Sequence, residues 1–566
     1  MISQFTKPKK RTSRFNLVGL LLTVVLVLQV PAVPAQRSAT KTEKRFSPAT
    51  LTQRSVNTIS APQLRDYLYF IAADEMEGRD TPSRGLDTVA KFLALNLSRW
   101  GFKPAGDEGS YFQKIALRRE RLDGERTRVE VNGRLLTLGE DYLPALPGRA
   151  SGPLVFAGNG WLIKSKNIDA YREIDPKGKI AVVFGSPNSI PKGLRRADLE
   201  GKPGEDWMNP ADYASQQGVA GIVYVPDLQY LAYWNRTRQR ITERGGLVVE
   251  KFQSQNPPRV PSITISLELA NSLFQGEKLQ ATPLFEKIAN DGEMPASFQL
   301  NPEKKFTIDV ALEAETPTTQ NVVAVWEGSD PVLKNEYVAL GAHYDHVGVS
   351  NAKQGDRIFN GADDDGSGTT ALLAMAEALS RAGIRPKRSI LFVWHAGEEK
   401  GLWGSRYFTA YPTVPLNNIV AHINLDMIGR SKQAGDTDSR NRELSGPNEI
   451  YVIGSKLMST ELGELSESVN RSFLGLDYNY RYDDPRDPNR FFYRSDHYNY
   501  ARKGIPIIFY FDGVHEDYHQ PGDSADKIDY HKLERVTQTI YMTLWEIASR
   551  ATRPKVDKQL PAEMSR

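Results

Sequence analysis

The sequence predicts an α/β protein: a doubly wound mixed sheet flanked by helices, with a β-rich α/β segment inserted into it. Three observations predict this. Apolar strand-like runs alternate with helical stretches over the second half of the chain, a different strand pattern interrupts it between 148 and 295, and 566 residues exceed one ordinary domain. A composition of 40% hydrophobic and 25% charged residues is that of a globular chain.

The elements follow in order. Residues 1–35 carry Lys7, Lys9, Lys10, Arg11 and Arg14, then an apolar run over 17–28 and a small-residue exit at Val33-Pro34-Ala35. That is the pattern of a signal peptide cleaved after Ala35, and the run is short of the roughly 20 residues a spanning helix needs. An exported chain, periplasmic or extracellular, with no stable membrane association is expected. Removing this segment turns the formal charge of +3 slightly negative, which gives nucleic acid no basic footprint. Residues 36–60 are polar and read as a flexible start. In 61–147, Leu64, Leu68 and Ile71, then Val89, Phe92, Leu93 and Leu97, mark two amphipathic helices, and the turn Val131-Asn132-Gly133 marks a hairpin. The inserted segment, 148–295, has the strands GKIAVVFG, GIVYV and RVPSITIS. Strands and helices then alternate over 296–550, and the charged, Pro-containing stretch 551–566 reads as a flexible tail.

Chemistry-bearing residues recur where strands of 296–550 end, the place where open α/β sheets form their crevice. His343 ends VALGAH with Asp345 and His346 just after it, and Asp363, Asp364 and Asp365 lie in GADDDGSG. Glu398 and Glu399 follow ILFVWHAG, Asp426 ends AHINLD, and His515 and His519 follow PIIFYFDG. Each alone reads as a cap, an Asx turn or a solvated pair. Their coincidence at five strand ends points to a metal centre, and with no cysteine in the chain its ligands must be His, Asp or Glu. Two His and three carboxylates suit two zinc ions with one carboxylate and a hydroxide shared between them. A further carboxylate then carries the proton.

These motifs, HYDH, GADDDGSG, HAGEEKGLWGS, NLDMIG and DYHQPGD, resemble in order and spacing those of the secreted co-catalytic zinc aminopeptidases, the aminopeptidase Y and glutamate carboxypeptidase-like superfamily. MEGRDTPSRG, WGFKPAG and SYFQKI resemble the amino-terminal part of that catalytic domain, and KGKIAVV and GVAGIVYV resemble a protease-associated domain. The resemblance implies the zinc exopeptidase fold and two Zn2+ per chain: His343 and Asp426 on one ion, Glu399 and His519 on the other, and Asp364 bridging. It also implies Glu398 as general base, Asp345 orienting the His343 imidazole, and Tyr518 stabilising the oxyanion. The implied activity is release of amino-terminal residues from peptides with a free amino terminus. The alternatives are a carboxypeptidase or dipeptidase on the same centre, a glutaminyl cyclase, and a non-catalytic receptor-like homologue. His395 is expected in the core, and His346, His422, His497 and His531 are expected to be structural. Ser495-Asp496-His497 cannot serve as a hydrolase triad because adjacent residues do not converge on one centre.

Overall fold

The structure is a computed structural model describing residues 48–560 except positions 188, 240, 242–245, 254–259, 290–292 and 485. The expected signal peptide, positions 36–47 and positions 561–566 lie outside the described residues.

Two expected flexible ends carry structure within those limits. Positions 48–60 hold helix α1 (Pro48–Val56), with Val56 and Ile59 fully buried and the Ser55 hydroxyl 2.8 Å from the Tyr541 hydroxyl. At the other end, Arg553 donates to Glu336 and the Lys555 amide to Glu461, so the chain from 551 to 560 is fastened across the surface. Both stretches are too polar for periodicity to show, and they are ordered by partners far away in the chain. Helices α2 (Ala61–Ile71) and α3 (Arg84–Arg99) form where apolar periodicity predicts them. The side chain of Ser60 accepts the Gln63 amide and that of Ser83 the Leu86 amide, satisfying donors that a helix start leaves open.

Among the described residues the main sheet has eleven strands. Its centre is β1 (Thr318–Trp326), β2 (Tyr337–His343), β3 (Ser389–His395), β4 (Ile419–Leu425) and β5 (Ile507–Phe511), in the spatial order β1-β3-β2-β4-β5. β3, β2, β4 and β5 are parallel and β1 is antiparallel, so the sheet is mixed as expected. Side chains alternate between two cores: Val338, Leu340, Ala342, Phe392 and Trp394 face one side, and Ala339, Leu391 and Val393 the other. The first core is roofed by α2, α3, helix α4 (Gly368–Arg381) and helix α6 (Tyr530–Ser549), and helix α5 (Trp403–Ala410) lies on the opposite face. The chain leaves β2 to one side for β3 and returns to the other for β4. The β2/β4 boundary is therefore the topological switch point, and His343 and Asp426 stand at its carboxyl edge.

Among the described residues a second sheet has nine strands, running from Arg128–Val131 to Lys305–Val310, on both sides of the limits 148–295 expected for the inserted segment. The hairpin turn at Asn132-Gly133 belongs to this sheet, and both residues take positive φ, 51° and 78°. The preceding strand Phe112–Leu122 belongs instead to the main sheet, paired with β1. Gly246–Val249, from within the inserted segment, pairs in turn with that strand.

Candidate metal centre

Two loops are pinned behind the centre by a fully buried cation. Arg79, in the turn before α3, donates to the main-chain carbonyls of Ile71, Tyr344, Asn360 and Gly361 at 2.6–3.0 Å. Neighbouring Gly78 has φ +63°, and a Cβ there would lie 2.4 Å from the Gly348 carbonyl oxygen, so this approach requires glycine. Arg79 thereby ties the loop after β2 to the loop before α4.

In GADDDGSG the three aspartates part company. Asp363 accepts the Gly429 amide at 2.7 Å, and Asp365 accepts the amides of Gly368 and His343 at 2.9 and 3.1 Å, so both carboxylates serve the backbone. Asp523 in turn accepts the amides of Asp363 and Asp364. Only the Asp364 carboxylate faces both imidazoles. Its Oδ1 is 3.2 Å from His343 Nε2 and its Oδ2 3.1 Å from His519 Nε2.

Around that carboxylate stand two groups. His343 Nε2 lies 3.5 Å from Asp426 Oδ1 and 3.9 Å from Glu398 Oε2. His519 Nε2 lies 3.1 Å from Glu399 Oε2. The five residues expected as ligands thus converge, with Asp364 between the two groups. Ligands 2.0–2.1 Å from a tetrahedral zinc sit roughly 3.3 Å apart, so these edges suit a pair of cations. His519 Nε2 meets no hydrogen-bond geometry with either carboxylate despite the short contacts, leaving it orphaned unless a cation takes its lone pair.

Asp345 differs from its expected part in detail. His343 Nδ1 lies 3.1 Å from the Asp345 main-chain carbonyl and 3.7 Å from its carboxylate. A carbonyl can only accept, so Nδ1 carries the proton and Nε2 is free to face the centre. The Asp345 carboxylate accepts the Glu398 amide at 3.1 Å and so fixes the loop carrying Glu398 and Glu399. Tyr518 stacks on His519 with ring centroids 3.9 Å apart, and its hydroxyl accepts from Arg494 at 3.3 Å. Tyr518 and Arg494 border a cleft with an apolar wall of Met427, Phe491, Phe509, Phe511 and Val514. The cleft opens onto His343, Asp364, Glu398 and Asp426.

The electrostatics mark a site crowded with negative charge. Burial, with Glu399 and Asp426 close by, pushes the Glu398 carboxyl well above the usual carboxylate range against the pull of His343. Burial draws the His519 imidazole down, but Asp364 and Glu399 outweigh it and push it up to about 10. Burial would raise Asp364, yet His343 and His519 hold it well below its ordinary value.

The remaining histidines divide. His395 is fully buried, 3.3 Å from Asp496 and 3.0 Å from the Tyr500 hydroxyl, and His422 and His497 stack on Tyr500 and Phe509. His515 faces Asp363 at 3.4 Å, away from the cluster, and His531 is exposed. Ser495 meets Asn424 while Asp496 meets His395, so that triplet diverges as expected. The departure is His346, expected to be structural. It lies against the centre, with Nδ1 2.9 Å from Glu399 Oε1 and 3.8 Å from Asp364 Oδ2.

With this geometry in hand, comparison with known proteins is direct. Residues 321–544 match peptidase family M28. The metal-site motifs lie within this match, which spans every residue of the cluster. Among curated relatives, leucine aminopeptidase 2 of Arthroderma otae is 26% identical over 48% of this chain and 54% of its own length. Leupeptin-inactivating enzyme 1 of Streptomyces exfoliatus is 27% identical over 41% and 49%. The chain spans about half the length of these relatives. Among solved structures, an aminopeptidase from Aneurinibacillus sp. strain AM-1 is similar over 89% of this chain and 98% of its own, with a TM-score of 0.48 and 17% identity. A zinc aminopeptidase from Bacillus subtilis covers 88% and 99%, with a TM-score of 0.44 and 19% identity.

Proposed function

We propose that the protein is an exported di-zinc exopeptidase that releases amino-terminal residues from peptides. The observation that carries this reading is the single carboxylate, Asp364, standing between two sets of imidazole and carboxylate ligands at the mouth of an apolar cleft. His343 and Asp426 would hold one cation, Glu399 and His519 the other, and Asp364 would serve both. Two zinc ions there would supply Lewis acidity and a water acidified toward neutrality. Glu398, unbonded to either cation, takes the proton of the attacking water and delivers it to the leaving amine. Its raised carboxyl suits that traffic. Tyr518 donates its hydroxyl to the carbonyl oxygen as negative charge develops there. The wall of Met427, Phe491, Phe509, Phe511 and Val514 receives an apolar first side chain and keeps water from it.

Support for a peptidase comes from the M28 match and from relatives named as aminopeptidases. Export rests on the basic, apolar and small-residue order of residues 1–35. Among the described residues no helix is long and apolar enough to cross a membrane. Arg494 at the cleft favours one second reading, a carboxypeptidase or dipeptidase whose substrate carboxylate pairs with that guanidinium. Peptides blocked at either end separate the two: an aminopeptidase spares amino-acetylated peptides and cleaves carboxyl-amidated ones. A Glu398→Ala protein is expected to keep two zinc ions by elemental analysis and lose about 10^2–10^4-fold in kcat. Wild-type turnover in that variant overturns the assignment of Glu398.

A further inference from the structure

His346 occupies a place that a merely structural histidine would not. Its side chain is fully buried, and neither ring nitrogen has a hydrogen-bond partner, an unfavourable state for a buried polar group. His422 and His497 also have unpaired nitrogens, but they lie flat on Tyr500 and Phe509. His346 instead points Nδ1 at a carboxylate 2.9 Å away, and that oxygen of Glu399 is itself without a hydrogen bond. The ring stands edge-on to His519, 5.5 Å between centroids. The room for it is made at Gly361, φ +58°, where a Cβ would lie 2.5 Å from His346 Cγ. The ring is aimed by two main-chain bonds of its own loop: the His346 amide to the Arg79 carbonyl at 3.1 Å and the Gly348 amide to the Gly78 carbonyl at 3.0 Å.

Ligand atoms from His346, Asp364, Glu399 and His519 all lie within 4.8 Å of one another. His346 Nδ1 lies 2.9 Å from Glu399 Oε1, His519 Nε2 lies 3.1 Å from Glu399 Oε2, and Asp364 Oδ2 is 3.1 Å from His519 and 3.8 Å from His346, spacings close to the roughly 3.3 Å between ligands of a tetrahedral zinc. The other group has His343, Asp364 and Asp426, because the Asp365 carboxylate beside it is spent on backbone amides. The cleft touches only this second group, being lined by His343, Asp364 and Asp426 and not by Glu399, His519 or His346.

We propose that His346 is a fourth protein ligand, so that the two cation positions differ in kind. Resting on the di-zinc reading above, this makes the position of His346, Asp364, Glu399 and His519 closed, of the type that holds zinc tightly. The position of His343, Asp364 and Asp426 is left with an open vertex toward Glu398 and substrate. A neutral imidazole adds a donor without adding charge, so the balance of three carboxylates against two dications is unchanged.

The test is metal retention. Zinc-loaded full-length protein is dialysed against rising concentrations of dipicolinate, and bound zinc per chain is measured by elemental analysis for wild type, His346→Ala and His346→Gln. Wild type is expected to shed one zinc early and the second only at about tenfold higher chelator or beyond, with both variants losing that second, tight step. Cobalt(II) gives an independent readout: the first equivalent added to metal-free wild type should show the intense visible bands of a four-coordinate ion. Unchanged tight retention in both variants, or weak bands from the first cobalt, overturns the proposal, and the weak bands do so even if neither variant folds. Wild type that takes up fewer than two zinc ions sinks the di-zinc reading itself, a different outcome.

Discussion

At the scale of single residues, selection within the centre is done by the backbone. Asp363 and Asp365 are drawn off by the amides of Gly429, Gly368 and His343, which leaves Asp364 as the carboxylate available between the imidazoles. Tyr518 is placed differently: stacked on His519 and bonded to Arg494, its hydroxyl is held at the cleft. If it steadies the developing oxyanion, Tyr518→Phe should lower kcat about 10^2-fold with KM changed little, since the interaction strengthens only as charge develops. A rise in KM at constant kcat would make it a substrate-binding group instead. The grouping of the five residues was legible because His343, Glu399, Asp426 and His519 end or follow apolar strands and Asp364 lies in a Gly- and Asp-rich loop that opens a helix. His346 was not legible as part of the cluster. Its signal, a second imidazole in HYDH, is ambiguous until Gly361 and Arg79 are seen turning the ring inward.

At the scale of elements, the order β1-β3-β2-β4-β5 places the strand ends, and the alternation of apolar runs with helical stretches was enough to predict the strands. What alternation cannot predict is pairing across two hundred residues: the strand Phe112–Leu122 reads like part of the local hairpin region, yet its partner is β1. The short turn Arg481–Asp483 carries a titratable group beyond the centre. Burial pushes the Asp483 carboxyl up to about 6, the Gly454 amide offsetting it only in part. A raised carboxyl favours the neutral form on folding. Its contribution to stability is therefore full below about 4, the unfolded value, and is lost as pH rises through 6. Asp483→Asn keeps the acceptor and removes the titration. Melting curves should show wild type losing stability relative to the variant between pH 4 and 7, and a difference constant across that range would contradict the assignment.

At the scale of the whole molecule, both ends of the described chain are fastened to the body. Helix α1 reaches α6 through Ser55 and Tyr541, and the stretch after Arg550 reaches back to Glu336 and Glu461. Neither was legible in the sequence, because a polar stretch with two buried apolar residues has no periodicity of its own. Deleting residues 48–59 removes the burial of Val56 and Ile59 and should cost about 3–6 kcal/mol, seen as a lower denaturant midpoint. An unchanged midpoint would mean that α1 merely rests on the surface. The proposed chemistry turns, however, on two cations gathered around Asp364. Anomalous-difference maps recorded across the zinc edge, from crystals grown with zinc, measure this directly. Two peaks about 3.5–4 Å apart, one on each side of the Asp364 carboxylate, are expected. A single peak, or none among His343, Asp364, Glu399, Asp426 and His519, would contradict it.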